Sequence, residues 1–337
     1  MTKDTARSLA LLGPVLAFYL VSLALPYAVL LRLSFYRYSA LRLYVPEFTW
    51  ANYAAVMTDP FYLGLVGRTV LLGVRVSAVT LVLGYPLALT VARAGPRMRV
   101  VLLVAALSPL LVNLVVRSYA WLVLLGDAGL VNRGLMAAGV IAGPLPLGGN
   151  LFSVTVGLVH IGLPLMVLSL LAVIERIDPA LMEAAGSLGA PPGRVVRRIT
   201  LPLSWPGIGA GSLLVFCFTI SAFVTPAMLG GNRVATVSTM VADKFTVSLN
   251  WPVGATLVVL LLALTLAWVD TTLGVPAQTA FAQSLYSPTN RECVLPPELA
   301  AKLIAGPRVD TLLEAPWAVL LPQRDAVLDR WNREFGL

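Results

Sequence analysis

Six long apolar runs, at about 8–31, 65–92, 99–124, 151–173, 207–229 and 252–270, constrain this 337-residue chain more than any other feature. Each is near or above the roughly 20 residues that a helix needs to cross a hydrocarbon layer of about 30 Å. Only 12% of the residues are charged, against roughly 25% in an average soluble domain. A backbone in lipid must satisfy its own hydrogen bonds, and runs of this length without strand alternation mean helices rather than a barrel. The expected fold class is an all-α integral membrane bundle of six transmembrane helices. Residues 1–271 form its transmembrane domain and 272–337 a short tail outside the membrane.

The charge pattern gives the orientation. Lys3, Arg7, Arg93, Arg97, Arg99, Arg176, Arg194, Arg197 and Arg198 fall on one side of the expected bundle, and the excess of basic residues makes that side cytoplasmic. Arg32, Arg37, Arg42, Arg133 and Arg233 lie on the other side, so the bias is moderate. Both termini are then expected in the cytoplasm. The net charge of +8 is spread between apolar runs rather than held in a basic block, which excludes nucleic acid as a partner. The first run exceeds the apolar core of a cleavable signal, and an uncleaved first span is expected. The two cysteines, Cys217 and Cys293, fit neither a disulfide framework nor a metal site.

One loop stands out, at 174–206, because it uses about thirty residues where a bare connection needs only a few. Its core reads EAAGSLGAPPGRVVRRITLP over 183–202. Asp178 followed by Pro179 is a helix start, and that helix should end near Gly189. Pro191 and Pro192 can open a second short helix, PGRVVRRI, closed by Leu201-Pro202 and Pro206. Ala184, Ala185 and Gly189 allow another surface to approach closely, so the loop reads as a docking element.

The same stretch resembles the cytoplasmic signature of the membrane-spanning permeases of binding-protein-dependent ABC importers: EAA, three residues, Gly, nine residues, then I-x-L-P. Glu183, Ala184, Ala185, Gly189, Ile199, Leu201 and Pro202 meet it without a gap. WANY (50–53), GYPLAL (84–89), VRSYAW (116–121), LLGDAGLVN (124–132), FVTPAMLGG (223–231) and NWPVGA (250–255) extend the resemblance to the spermidine/putrescine-type branch over about 8–270. The resemblance implies a type I permease fold in the inner membrane and a loop that couples to two copies of a separate ATPase. It also implies a second permease subunit, a periplasmic solute-binding protein and contact with membrane lipid. ATP and Mg belong to the ATPase, and this chain is expected to bind no cofactor and to be no enzyme. Consistent with that, none of Lys3, Lys244 and Lys302 follows a glycine as a phosphate-binding loop requires. The implied cargo is a polyamine such as spermidine or putrescine, carried by alternating access; another small solute, amino-acid-like, an organic cation or an anion, is the alternative. Ala222 and Ala227 stand where polyamine members often carry acids, which weakens the polyamine reading unless the second permease supplies the charge.

Asn113, Arg117, Tyr119, Trp121, Ser221 and Thr225 are the candidate translocation-path residues. Arg117 inside a span carries two readings, a functional charge or a structural one paired with Asp127. Tyr119 and Trp121 also suit interface anchoring, and Ser221 and Thr225, four apart on one expected helix face, also suit helix packing. His160 reads as a packed neutral side chain. No G-x-S-x-G, H-E-x-x-H or C-x-x-C occurs, so catalytic chemistry has no support. The 272–337 tail, through YSPTN, LPPE and RWN, resembles the end of a periplasmic polyamine-type binding protein and reads as a fusion remnant or as a regulatory tail. A secondary transporter without an ATPase would show intramembrane acids and an inverted repeat, neither of which is clear.

Overall fold

The computed structural model describes residues 3–187, 189–231 and 233–274. The described chain runs α1 (Lys3–Ser34), a hairpin of β1 (Tyr36–Ser39) and β2 (Leu43–Phe48), α2 (Ala51–Thr58), α3 (Pro60–Arg93), α4 (Pro96–Leu111), α5 (Leu114–Leu125), α6 (Leu130–Ala137) and α7 (Leu151–Ile174). It continues through α8 (Pro179–Ser187), α9 (Pro192–Val195), a π-helical turn (Val196–Thr200), α10 (Leu201–Leu203), α11 (Trp205–Ser221), α12 (Val224–Leu229), α13 (Val237–Thr246) and α14 (Trp251–Leu273). Five helices are long and apolar enough to cross a membrane, or six when the bent α9–α11 segment counts as one span. The tail resemblance and Cys293 lie outside the described residues.

Two expected spans differ from single helices. The run at 99–124 is α4 and α5, broken at Val112–Asn113, where Val112 turns extended and the Asn113 side chain accepts from the Val115 N–H at 2.9 Å. The run at 207–229 is α11 and α12, broken at Ala222–Phe223. Pro226 explains the second break, since in a continuous helix its ring would strike the Ala222 carbonyl. Restarting at Val224 puts Pro226 in a first turn, where a missing N–H costs nothing.

The core is built around α7, which packs on α3 and α11. Val154, Leu158, Met166, Val167 and Leu170 are fully enclosed, with Leu72, Val76, Val91 and Val215 facing them. Lipid supplies no hydrophobic drive between helices, so close approach of backbones carries the association. Gly73 of α3 shows how tight it is: a methyl group there would stand 2.7 Å from the Phe216 ring of α11. Phe216 in turn stacks on Trp268 of α14 at 4.2 Å between centroids. On the far side from the 174–206 loop, Phe35, Phe48, Trp50 and Tyr53 form an aromatic cluster where the hairpin meets α2.

Replacing Gly73 by valine should overpack the α3–α11 contact and cost about 1–3 kcal/mol. Thermal unfolding of the purified chain in detergent reads this, with Gly67→Val on the same helix as control because, apart from its chain neighbours and its own helix backbone, no atom lies within 4 Å of the added carbon.

Candidate functional site

The 174–206 loop is exposed over most of its length, with Ile177, Val195, Thr200 and Ser204 among its buried residues. The Asp178 carboxylate accepts from the Ala180 N–H at 2.9 Å and starts α8, none of whose residues is buried. Glu183 and Ala184 are exposed and Ala185 is half-buried. Gly189 takes the turn after α8 with φ +75°, a conformation that favours glycine, and open space lies beyond its Cα. Gly193, Arg194, Arg197 and Arg198 line a basic hollow of about 420 Å³. Ile177 and Val195, both buried, seat the loop on the bundle, and Arg99 at the start of α4 pairs with Glu175 at the end of α7 at 2.6 Å.

The second half of the loop is a correction to the expectation that Pro202 closes its helix. The helix continues through a π turn, in which the Leu201 N–H reaches back to the Val196 carbonyl, and Pro202 sits inside α10. The wider turn moves the missing proline donor out of the ladder. The chain then bends by 66° between α10 and α11. Ser204, fully buried, stands at that bend, and its hydroxyl meets the Tyr85 hydroxyl of α3 at 3.0 Å. One hydrogen bond thus ties the loop exit to the longest membrane helix.

The candidate path residues do not form one site. Arg117 is buried and donates from Nη1 to the Pro109 carbonyl, an acceptor freed by the α4–α5 break. The two ion pairs found among the described residues are Arg37–Glu47 and Arg99–Glu175, so Arg117 is not paired with Asp127. Asn113 caps α5, which makes both residues parts of the break. Tyr119 is exposed on the bundle surface. Trp121 donates from Nε1 to His160 Nδ1 at 3.1 Å, with the rings edge to face. That bond fixes Nδ1 as an acceptor, so the imidazole is neutral. Ser221 and Thr225 do not share a helix face, because the break falls between them. Ser221 is exposed at the end of α11, whereas Thr225 is buried in α12 against Gly157 of α7.

Three features were missed in the sequence. Arg68 and Arg75, seven apart on α3, are exposed and line a cleft with Arg233; two arginines on one face of an apolar run are the signal that could have found them. Asp243 of α13 lines a pocket of about 450 Å³ with Phe223, Ala227, Thr239 and Met240, on the side opposite the loop. The third is a set of caps from one helix to another. Asn52 donates to the Ser34 and Tyr36 carbonyls, Ser153 to Leu229, and Ser238 to Ile220. Thr69 accepts from the Val237 N–H at 3.0 Å.

Arg117→Ala would leave the Pro109 carbonyl without its donor and should lower stability by about 1–3 kcal/mol. Arg117→Lys should recover part of the loss, as read by thermal unfolding in detergent. Tyr85→Phe should cost about 0.5–1.5 kcal/mol in the same assay.

No family model matches the chain. The spermidine/putrescine transport system permease protein PotB of Haemophilus influenzae is 32% identical over 231 residues, covering 68% of this chain and 80% of that protein. The inner membrane ABC transporter permease protein YdcU of Escherichia coli is 34% identical over 278 residues, covering 77% of this chain and 88% of that protein. In solved structures, a chain of a bacterial alginate ABC transporter, crystallised with a pentasaccharide-bound periplasmic protein, superposes with a TM-score of 0.65 at 17% identity. That match covers 80% of this chain and 93% of the other, and it gives the fold as that of an ABC importer permease. The helices, the exposed loop and these relatives together show that the chain belongs to the multi-pass permease subunits of ABC importers, in the family of the spermidine/putrescine permeases.

Proposed function

We propose that this chain carries a polyamine across the inner membrane as one of two permeases, driven through its 174–206 loop by two separate ATPase subunits. The observation that supports this reading best is the exposed loop itself. Glu183, Ala184, Ala185 and Gly189 present a small surface, and Ile199, Leu201 and Pro202 join it to α11. Movement of the loop would reach α3 through the Ser204–Tyr85 bond and α11 through the bend. ATP and Mg act on the ATPase, this chain holds no cofactor of its own, and a periplasmic binding protein delivers the solute. Both termini lie in the cytoplasm on the basic-residue pattern.

The polyamine assignment draws on the similarity to the spermidine/putrescine permease PotB and on Asp243. Ala227 lacks an acid, but it shares its pocket with the Asp243 carboxylate. An ammonium group entering there meets a carboxylate, the Phe223 ring and two threonine hydroxyls, those of Thr239 and Thr246. Ser221 remains a path candidate, Trp121 is bonded to His160 in a cleft that it shares with Arg75 and leaves the path, and Asn113, Arg117 and Thr225 serve the path by holding its walls. The second permease supplies further acids to the dication.

Uptake of labelled putrescine and spermidine should be measured in cells expressing this chain with its ATPase, partner permease and binding protein. Gly189→Asp should abolish uptake and ATPase co-purification. Gly189→Ala bears the same backbone strain of about 1–2 kcal/mol without the charge and should keep the ATPase bound. Unchanged coupling in Gly189→Asp would remove the loop from this role. Asp243→Asn should raise the uptake KM for spermidine about tenfold, the loss of one charge-assisted contact.

A further inference from the structure

The arginine-lined cleft on α3 has no part in the coupling reading. Arg68 and Arg75 of α3 and Arg233, after α12, line a cavity of about 130 Å³ with Leu151 and Thr236. Arg75 also lines an open cleft of about 600 Å³, whose wall is Val79, Leu83, Val156, Val159 and Leu163, with Trp121 and His160 beside it. Neither ion pair of the described residues involves these arginines. Arg68 donates from Nε to its own helix, at the Gly64 carbonyl, and its other N–H groups remain free for a ligand.

Their depth decides what they can meet. Arg75 and Arg93 are eighteen residues apart on one helix, which at 1.5 Å per residue is about 27 Å, close to the hydrocarbon thickness of roughly 30 Å. With Arg93 at the cytoplasmic boundary, Arg75 stands at the outer one, and Arg68 lies about 10 Å further out, among headgroups. Arg233 is brought to the same level by the loop after α12. Below Arg75, Val79 and Leu83 continue along the same face toward the middle of the membrane. Three guanidinium groups thus sit at headgroup depth over an apolar trench that opens on the bundle surface.

We infer that this cleft binds an anionic phospholipid of the outer leaflet, with its phosphate on Arg68, Arg75 and Arg233 and an acyl chain in the trench. The occupant follows from charge and depth: the guanidinium groups want an oxyanion, and the apolar wall wants a hydrocarbon chain. A polycationic solute is repelled here, which leaves its entry to the Asp243 pocket on α13. The inference rests on the chain spanning the membrane in the orientation proposed above, with Arg93 at the cytoplasmic face, and not on its cargo or its ATPase.

Trp121 lies in the cleft and reports on it. The full chain, purified in detergent, is titrated with phosphatidylglycerol or phosphatidylcholine carrying brominated chains, and the quenching lost in Trp121→Phe is taken as the cleft signal. The expected result is binding of phosphatidylglycerol about tenfold tighter than phosphatidylcholine, given three basic contacts. The Arg68→Gln/Arg75→Gln/Arg233→Gln variant should lose that preference, while the corresponding triple lysine variant should keep most of it. Size-exclusion profiles and circular dichroism check that each variant is folded. Equal quenching by the two lipids, or a preference that survives the glutamine variant, overturns the inference. Displacement of the lipid by millimolar inorganic phosphate also overturns it, and assigns the arginines to a soluble oxyanion instead. Polyamine uptake by the full complex is scored separately, so failure of transport and failure of the lipid site are distinguishable.

Discussion

A helix that breaks inside lipid exposes backbone donors and acceptors that no water can reach, and each must find a partner in the protein. This constraint organises the described chain. At Val112–Asn113 the partners are the Asn113 amide and the Arg117 guanidinium; at the end of α11 the partner is the Ser238 hydroxyl, and at the end of α12 it is Ser153. The motifs that carry the family resemblance lie at such places. The asparagine of WANY caps α1, and that of LLGDAGLVN pins its outer loop through Gly126 and Leu145. The tyrosine of GYPLAL holds the bend at Ser204. These residues serve the backbone.

The same arrangement gives the chain joints. Helices α3 and α7 run unbroken and pack on each other, so they form the stiff part. The segments that are broken or bent, α4–α5 and α10–α12, are where side chains replace the helical ladder. Exchanging a side-chain cap costs less than breaking a continuous turn, so rigid-body movement of the loop can be taken up at these breaks. The π turn at Val196–Thr200 lies between the exposed α8 and the 66° bend.

The all-α membrane class was legible because hydrophobicity over about 20 residues is a strong signal. The exposed 174–206 loop was legible because its residues depart from that signal and match a spaced signature. The breaks were not, since an apolar run reads the same whether or not its ladder is interrupted. Asn113 and Pro226 were the available signs, one a helix-starting residue within a run and the other a proline four residues after Ala222. Arg117 was noticed, but the structural one of its two readings looked to the opposite charge of Asp127, whereas the structure supplies a freed carbonyl. Arg68 and Arg75 escaped notice because their neighbours keep the average hydropathy of α3 high.

The central claim is that the surface around Glu183 and Gly189 seats the ATPase. The direct measurement is site-specific cross-linking in the assembled complex, with cysteine placed at Glu183 or Ser187 of a chain whose own Cys217 and Cys293 are serine. The account predicts cross-links to the ATPase subunit that strengthen when ATP closes it, and none from a cysteine at Tyr44 on the opposite side. Cross-links absent at Glu183 and Ser187 in a complex that still holds its ATPase would contradict it.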